Sequence, residues 1–342
     1  MRILLGMSGG LDSTYAAVRL REQGHEVCGA VIRMHEYTDL SAARLAAREA
    51  GVDIVELDCT DAFHREIEAG FAAEYLAGRT PNPCVDCNAA VKLRALADHA
   101  VGCGFDAIAT GHYARVERLD NGRYAICRAA DPKKDQSYVL WKLPQDILSI
   151  LMLPLGDVSK SEVRSGARVI GLSQHDAEES QEICFIPDND YASFIEKNYA
   201  VSAPGDFVDR EGRVLGRHKG ILHYTIGQRR GLGIACGERI FVSDIDAASA
   251  RITLSSDDAL YRSRIRVDEL VFSGDLPRES GEGEYMVKLR YLAPPIRALV
   301  RFGAGEATVE LETPARAPTP GQSAVFYRDG GICFGGKIRL CE

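Results

Sequence analysis

RILLGMSGGLDS, residues 2–13, runs from a short aliphatic stretch through a glycine-serine loop to an acidic residue and a serine that open a helical pattern. A buried strand that turns straight into a helix puts free backbone N–H groups and the positive end of the helix dipole at one point, which makes an anion site. Gly9 and Gly10 permit a tight backbone and close approach of a phosphate, while Ser8 and Ser13 supply hydroxyl donors. Asp12, a carboxylate beside such a site, suits a magnesium ion that accompanies the phosphates. The loop lacks the Gly-Lys-Ser/Thr ending of a Walker A motif and the spacing of the dinucleotide G-x-G-x-x-G.

Outward from this loop the chain alternates in period. RILLG (2–6), VCGAVIR (27–33), DIVELD (53–58) and DAIATG (106–111) read as buried strands, with helical patterns near 13–23, 40–50, 60–77 and 88–102 between them. That alternation predicts an α/β unit with a parallel sheet and ligands at the carboxyl ends of its strands. Ser159 and Glu162 form a capping-box pattern at the head of a further helix within 157–172. After about residue 190, short alternating segments punctuated by Gly, Pro and Asp predict an all-β style long enough for two small units. The expected division is 1–190, 191–260 and 261–342.

The 342 residues, 46% hydrophobic and 26% charged, suit a globular protein with a sizeable core. No apolar run approaches a membrane span and the first residues carry no signal-peptide pattern, so a cytoplasmic protein without membrane association is expected. Ten cysteines then argue for reduced thiols. A net charge of -8 gives no global attraction to nucleic acid. Two basic stripes are compatible with a local phosphate-binding face: Arg213, Arg217, Lys219, Arg229 and Arg230 with His218 and His223, and Lys288, Arg290, Arg297 and Arg301.

TPNPCVDCN, residues 80–88, sets Cys84 and Cys87 three positions apart. A helix beginning near Asn88 would place Cys87 at its amino end, where the dipole lowers a thiol pKa. Structural zinc needs a second pair of ligands, and Cys103 has no such partner nearby.

The first loop resembles the PP-loop, SGG-x-DS, of ATP pyrophosphatases. With TPNPCVDCN, ATGHYARV (109–116), KKDQSYVLW (133–141), SQEICFIP (180–187), HYTIGQRRGLGI (223–234), VKLRY (287–291) and PGQSAVFY (320–327), the whole chain resembles the bacterial tRNA 2-thiouridylase (MnmA/TrmU) family. The resemblance implies an adenine-nucleotide α-hydrolase-like α/β domain, a small central β-rich domain and a carboxy-terminal β-barrel. It implies ATP and Mg2+ as cofactors, an upstream sulfur donor as partner, and thiolation at C2 of the wobble uridine (U34) in tRNAs for Lys, Glu and Gln. By the same resemblance, ATP would activate the uracil oxygen as an adenylate, and a protein-bound persulfide would deliver the sulfur.

By this resemblance Gly6, Met7, Ser8, Gly9, Gly10, Leu11, Asp12, Ser13, Met34 and Gly111 bind the nucleotide, with Asp12 also catalytic. Cys87 matches the nucleophile and Cys184 the persulfide carrier, and a Cys87–Cys184 disulfide would be an intermediate of turnover. Asn82, Pro83, His112, Lys134, Asp135, Gln136, Arg290, Tyr291 and Gln322 match tRNA-contacting positions. Two features depart from the family pattern: Cys84 stands where many members carry Asp, and MHEYTDLSAARLA, between the second strand and its helix, is shorter than usual. The extra thiol opens an alternative in which Cys84, Cys87 and Cys184 hold a [4Fe-4S] cluster that delivers the sulfur. A PP-loop synthetase acting on a small metabolite, and a noncatalytic RNA-binding or cluster-carrying protein, are the rival readings.

Overall fold

The structure, a computed structural model, describes residues 1–175, 183–235, 237 and 239–341. Ser180, Gln181 and Glu182 of the SQEICFIP motif, and Cys236, lie outside the described residues.

The first unit is built on strands β1 (Arg2–Gly6), β2 (Glu26–Arg33), β3 (Asp53–Asp58) and β4 (Ala107–Thr110). A hairpin of β5 (Ala114–Arg118) and β6 (Tyr124–Arg128) follows, then β7 (Leu151–Met152). The all-parallel sheet has the order β3-β2-β1-β4-β7. Alternate side chains of β1 enter different cores: Leu4 packs with Leu96 and Trp141, Ile3 and Leu5 with Ala17 and Leu20. A strand buried on both faces is continuously apolar, as RILLG is. Because β1 lies between β2 and β4, the chain leaves it in opposite senses and a crevice opens at its carboxyl end. Residues 7–10 occupy that crevice and lead into the helix Leu11–Glu22.

The second helical stretch differs from its expected start. The helix begins at Pro83, not near Asn88: Asn82 is the N-cap, its Oδ1 accepting from the Cys84 N–H at 3.2 Å. Asparagine at N-cap and proline at the first position are favoured pairings for a helix start. A π-turn, Asn88–Lys92, interrupts it before Leu93–Cys103 completes it. A second π-turn, His64–Glu68, breaks the helical run Thr60–Leu76. The helix Lys160–Ile170 carries the full Ser159/Glu162 capping box.

Four strands, β8 (Gly205–Val208), β9 (Val214–His218), β10 (Phe241–Asp246) and β11 (Arg251–Ser255), make the central sheet in the order β10-β11-β8-β9. The last six, β12 (Tyr261–Phe272), β13 (Ser280–Lys288), β14 (Ile296–Gly303), β15 (Glu306–Arg316), β16 (Ser323–Arg328) and β17 (Gly331–Cys341), close into a barrel through β12 and β17. Phe326 and Phe334 stack at 4.4 Å in its core. The β5–β6 hairpin, absent from the sequence expectation, extends this barrel sheet rather than the first one, pairing Cys127 with Gly331. Arg123 fastens it by donating to the carbonyls of Phe272 (2.6 Å) and Ser273 (2.7 Å).

Candidate active site

The loop after β1 is held in shape from within. Met7 N–H donates to Ala30 O at 2.8 Å, Ser13 Oγ to Gly10 O at 3.0 Å, and Thr14 Oγ1 to the same oxygen at 2.9 Å. Gly9 has φ +85°, and a Cβ there would lie 2.7 Å from the carbonyl carbon of Ala42, so only glycine fits. Gly111, just beyond β4, backs the loop so closely that a Cβ would meet Asp12 C at 2.9 Å. The predicted loop residues and Gly111 are therefore one assembly.

Asp12 is not open to solvent on all sides. Its carboxylate accepts from Lys160 Nζ at 2.7 and 2.8 Å and from Tyr113 OH at 2.7 Å. Lys160 and Tyr113 are buried, with 8% and 2% exposure. Gln136 secures Tyr113, its Oε1 accepting from the Tyr113 N–H at 2.9 Å. Sequence reading missed both partners: Lys160 sits inside the capping-box helix as an ordinary first-turn residue, and Tyr113 inside ATGHYARV.

Across the crevice, Met34 follows β2 and its sulfur touches Cys87, Sγ to Sδ 3.7 Å. Cys87 is 5% exposed in an apolar chamber shared with Phe63, Phe71, Val91 and Phe185, and burial pushes its thiol up to about 12. This reverses the expected effect. The helix starts at Pro83, so Cys87 lies past the first turn, and loss of hydration outweighs any dipole. Cys84 is exposed on the same helix, and Cys184 is also surface-accessible, its thiol raised mainly by partial burial.

Lys92 ties these groups together. Burial works against its charge, but Cys87, Cys84 and Cys184 outweigh that and hold its ammonium above the ordinary range. The π-turn explains the placement, since its wider winding brings a residue five positions on nearly back over Cys87, where an α-helix would swing it well away. The same charge reaches His112, whose imidazole is lowered to about 3 by burial first and Lys92 second. His112 Nδ1 shares a hydrogen bond of 2.8 Å with Thr110 Oγ1. Nothing in the sequence period marks Lys92, because the π-turn is a local departure from it.

The positions matched to tRNA contacts divide. Asn82 and Pro83 cap the cysteine helix, and Gln322 reaches them from the barrel by donating to Thr80 O at 2.7 Å. Asp135 is buried, accepting from the N–H groups of Ala129 and Ser137, so its carboxylate faces inward as Gln136 does; Lys134 is half-buried. Arg290 donates to Ala317 O (2.6 Å) and Thr319 Oγ1 (2.5 Å), and Tyr291 packs near Tyr138. Of the basic stripes, Arg213, Arg217, Arg297 and Arg301 are paired with carboxylates and Lys288 is buried over aromatic rings. Lys219, Arg229 and Arg230 are exposed and meet no carboxylate among the described residues.

Three family models cover the chain: a tRNA methyl transferase HUP domain over residues 1–188, a tRNA methyl transferase PRC-barrel domain over 192–256, and an aminomethyltransferase beta-barrel domain over 262–338. A curated relative from Clostridium acetobutylicum, the tRNA-specific 2-thiouridylase MnmA, is 41% identical over 98% of this chain and 99% of its own. The chain belongs to the MnmA family of PP-loop proteins. MnmA from Carboxydothermus hydrogenoformans is 41% identical over 98% of this chain and 97% of its own, and that from Acetivibrio thermocellus 40% over 98% of each. A solved 4-thiouridine synthetase–RNA complex with bound ATP aligns with 57% of the chain at TM-score 0.35 and 15% identity, too distant to bear on the site. Among the described residues of this MnmA-family chain, no helix is long and apolar enough to cross a membrane.

Proposed function

We propose that this protein is a tRNA-uridine 2-sulfurtransferase that activates the C2 oxygen of the wobble uridine with ATP and replaces it with sulfur. The observation that carries the reading is the 3.7 Å contact between Met34 and Cys87. It joins the crevice at the carboxyl ends of β1 and β2, suited to a nucleotide, to the thiol chamber, which supports a reading in which activation and sulfur delivery occur side by side. An amide-type carbonyl is a poor electrophile, and adenylation turns its oxygen into a leaving group.

In this reading the first-turn N–H groups of the helix Leu11–Glu22 hold the phosphates, with the loop hydroxyls beside them. Lys160, which reaches the loop through Asp12, would exchange that carboxylate for a phosphate oxygen and so free it. Mg2+ fits as one carboxylate plus substrate phosphates, and supplies charge neutralisation when bound. A persulfide on Cys184 then attacks C2 with its terminal sulfur and expels AMP. Cys87 attacks Cys184 Sγ, releasing the thiolated base and leaving a Cys87–Cys184 disulfide, which an external dithiol reduces. The Lys92 charge opposes part of the burial that disfavours a Cys87 thiolate, burial remaining the larger effect.

A [4Fe-4S] cluster fits less well. No group of three metal-ligating side chains is assembled among the described residues, and Cys84 and Cys87 occupy an exposed and a buried position of one helix. The tRNA set for Lys, Glu and Gln, the upstream sulfur donor and a cytoplasmic location belong to the same proposal, with Lys219, Arg229 and Arg230 as candidate phosphate contacts.

The test is pyrophosphate release from ATP with and without tRNA, alongside 2-thiouridine formation from a persulfide donor and iron content after anaerobic purification. Release that needs tRNA, and an iron-free protein that thiolates, support the reading. Cys87→Ser is expected to keep the release and lose the thiolation. Release driven by a small metabolite instead, or thiolation strictly dependent on about four irons per chain, overturns the corresponding part.

A further inference from the structure

His35 is a buried polar residue that the mechanism above leaves unused. It follows Met34 at the carboxyl end of β2 and is 7% exposed, yet neither ring nitrogen has a hydrogen-bond partner among the described residues. Leaving such a group unpaired is costly, and native structures rarely do so without a reason. Its backbone is well anchored: the N–H donates to Thr38 Oγ1 at 3.4 Å, and the carbonyl accepts from the Thr38 N–H at 3.1 Å. The ring rests against Phe63 at 5.4 Å and Tyr37 at 6.0 Å. Its position is thus fixed by packing and not by its own polar atoms.

The surroundings indicate what the ring meets. Met34, the preceding residue, touches Cys87. Phe63, under the ring, also packs edge-on against Phe185 at 5.3 Å, and Phe185 adjoins Cys184. His35 is therefore one residue from the Met34–Cys87 contact on one side and linked through Phe63 and Phe185 to the neighbour of Cys184 on the other, beside the place where the proposed reaction would receive a base. Burial first, then Lys92 and His64, lower the imidazole's pKa against a smaller opposing effect of Glu36, and so favour the neutral ring. A neutral ring can give its one N–H to a pyrimidine carbonyl such as O4 of uracil, where cytosine carries an amino group and offers no acceptor. Two flanking aromatic rings suit a planar ligand.

We propose that His35 is a specificity-determining residue that hydrogen-bonds to the uracil edge of the target nucleotide and so separates uracil from cytosine. The inference rests on the proposed function and deepens it. Adenine of ATP offers related hydrogen-bonding chemistry, and the test separates the two sources.

His35→Leu keeps the volume without the polar atoms, and His35→Gln retains a donor and an acceptor. Three readouts are taken on each protein: ATP affinity without tRNA, the single-turnover thiolation rate on a U34 transcript, and tRNA-dependent pyrophosphate release with U34 against C34 transcripts. For His35→Leu the expected result is ATP affinity within about twofold of wild type, U34 thiolation slower by about tenfold or more, and a U34-over-C34 preference reduced by a similar factor. His35→Gln recovers part of that preference. An ATP affinity that falls with the thiolation rate assigns the ring to adenine and overturns the proposal, as does an unchanged U34-over-C34 preference in a folded variant. A wild type that does not thiolate U34 overturns the functional reading and this inference together, whereas an indifferent His35→Leu in a thiolating background overturns the inference alone.

Discussion

Replacing Lys160 with methionine removes one charge from the centre of the phosphate loop while keeping the side chain's length. Lys160 Nζ lies 2.7 and 2.8 Å from the two oxygens of Asp12. At about 3 Å and an effective dielectric near 20, the gross attraction is roughly 5 kcal/mol. Most of that is offset, because the Lys160 side chain is 10% exposed and sheds its hydration on folding, while Asp12 at 33% keeps part of its own. Exposed pairs contribute at most about 1 kcal/mol and breaking a buried pair costs about 3–5, so this intermediate pair implies a loss of about 2 kcal/mol. Urea unfolding of wild type, Lys160→Met, Asp12→Asn and the double variant measures it as a coupling energy. The same proteins, assayed for tRNA-dependent pyrophosphate release, test the functional half. A cation that moves onto the phosphates as negative charge is redistributed is worth about a hundredfold or more in rate. If Lys160→Met loses about 2 kcal/mol of stability but releases pyrophosphate within threefold of wild type, Lys160 is a staple for Asp12 alone, and the exchange of partners is refuted.

Other substitutions test separate parts of the geometry. Gly9→Ala forces a Cβ against Ala42 at φ +85°, so a loss of at least about 2 kcal/mol in urea unfolding is expected, and an unchanged midpoint would mean the loop yields freely. His112, held at about 3, binds a proton in the unfolded chain before the folded one; stability therefore falls as pH drops from about 6.5 towards 3, by up to ~1.4 kcal/mol per unit from this group. His112→Gln should flatten that slope, as read from unfolding midpoints between pH 7 and 5. Arg290→Ala removes a guanidinium committed to Ala317 and Thr319, so tRNA affinity should weaken with little change in its salt dependence. A salt slope reduced by about 0.7–0.9 would instead identify a direct phosphate contact.

The central strands β1 and β4 are legible in the sequence because they are buried on both faces and read as apolar runs, whereas β3, at the sheet edge, is legible only through the apolar residues set between its carboxylates. The loop after β1 is legible for another reason: its glycines and hydroxyls are demanded by local geometry. The start of the cysteine helix is written in Asn82-Pro83, but a proline beside a turn is equally a loop signal, and the two readings differ by five residues. The Cys87 pKa goes the other way for a further reason, burial of the thiol, which the sequence does not display. Lys92 and His35 stayed hidden, since a π-turn carries no period of its own and an unpaired nitrogen is a property of surroundings. What the sequence does not display is which stripe residues strand register pairs off: Arg301 lies directly across from Glu282 on the neighbouring strand, while Lys219, Arg229 and Arg230 stay exposed. The β5–β6 hairpin escaped because its partner, β17, lies some two hundred residues on.

That hairpin has a consequence for how the protein is made. The core around Leu4, Ile108 and Trp141 also contains Val325, Tyr327 and Ile332, which belong to the barrel. During synthesis the strands of the first sheet leave the ribosome long before those residues exist, and at about 5–20 residues per second the wait is roughly ten to forty seconds. Throughout it, the face later covered by the barrel stays uncovered. The amino-terminal half must wait for the carboxy-terminal one before its own interior is sealed, so a nascent chain stalled within the barrel would present a formed nucleotide loop on an unfinished core, a natural client for chaperones.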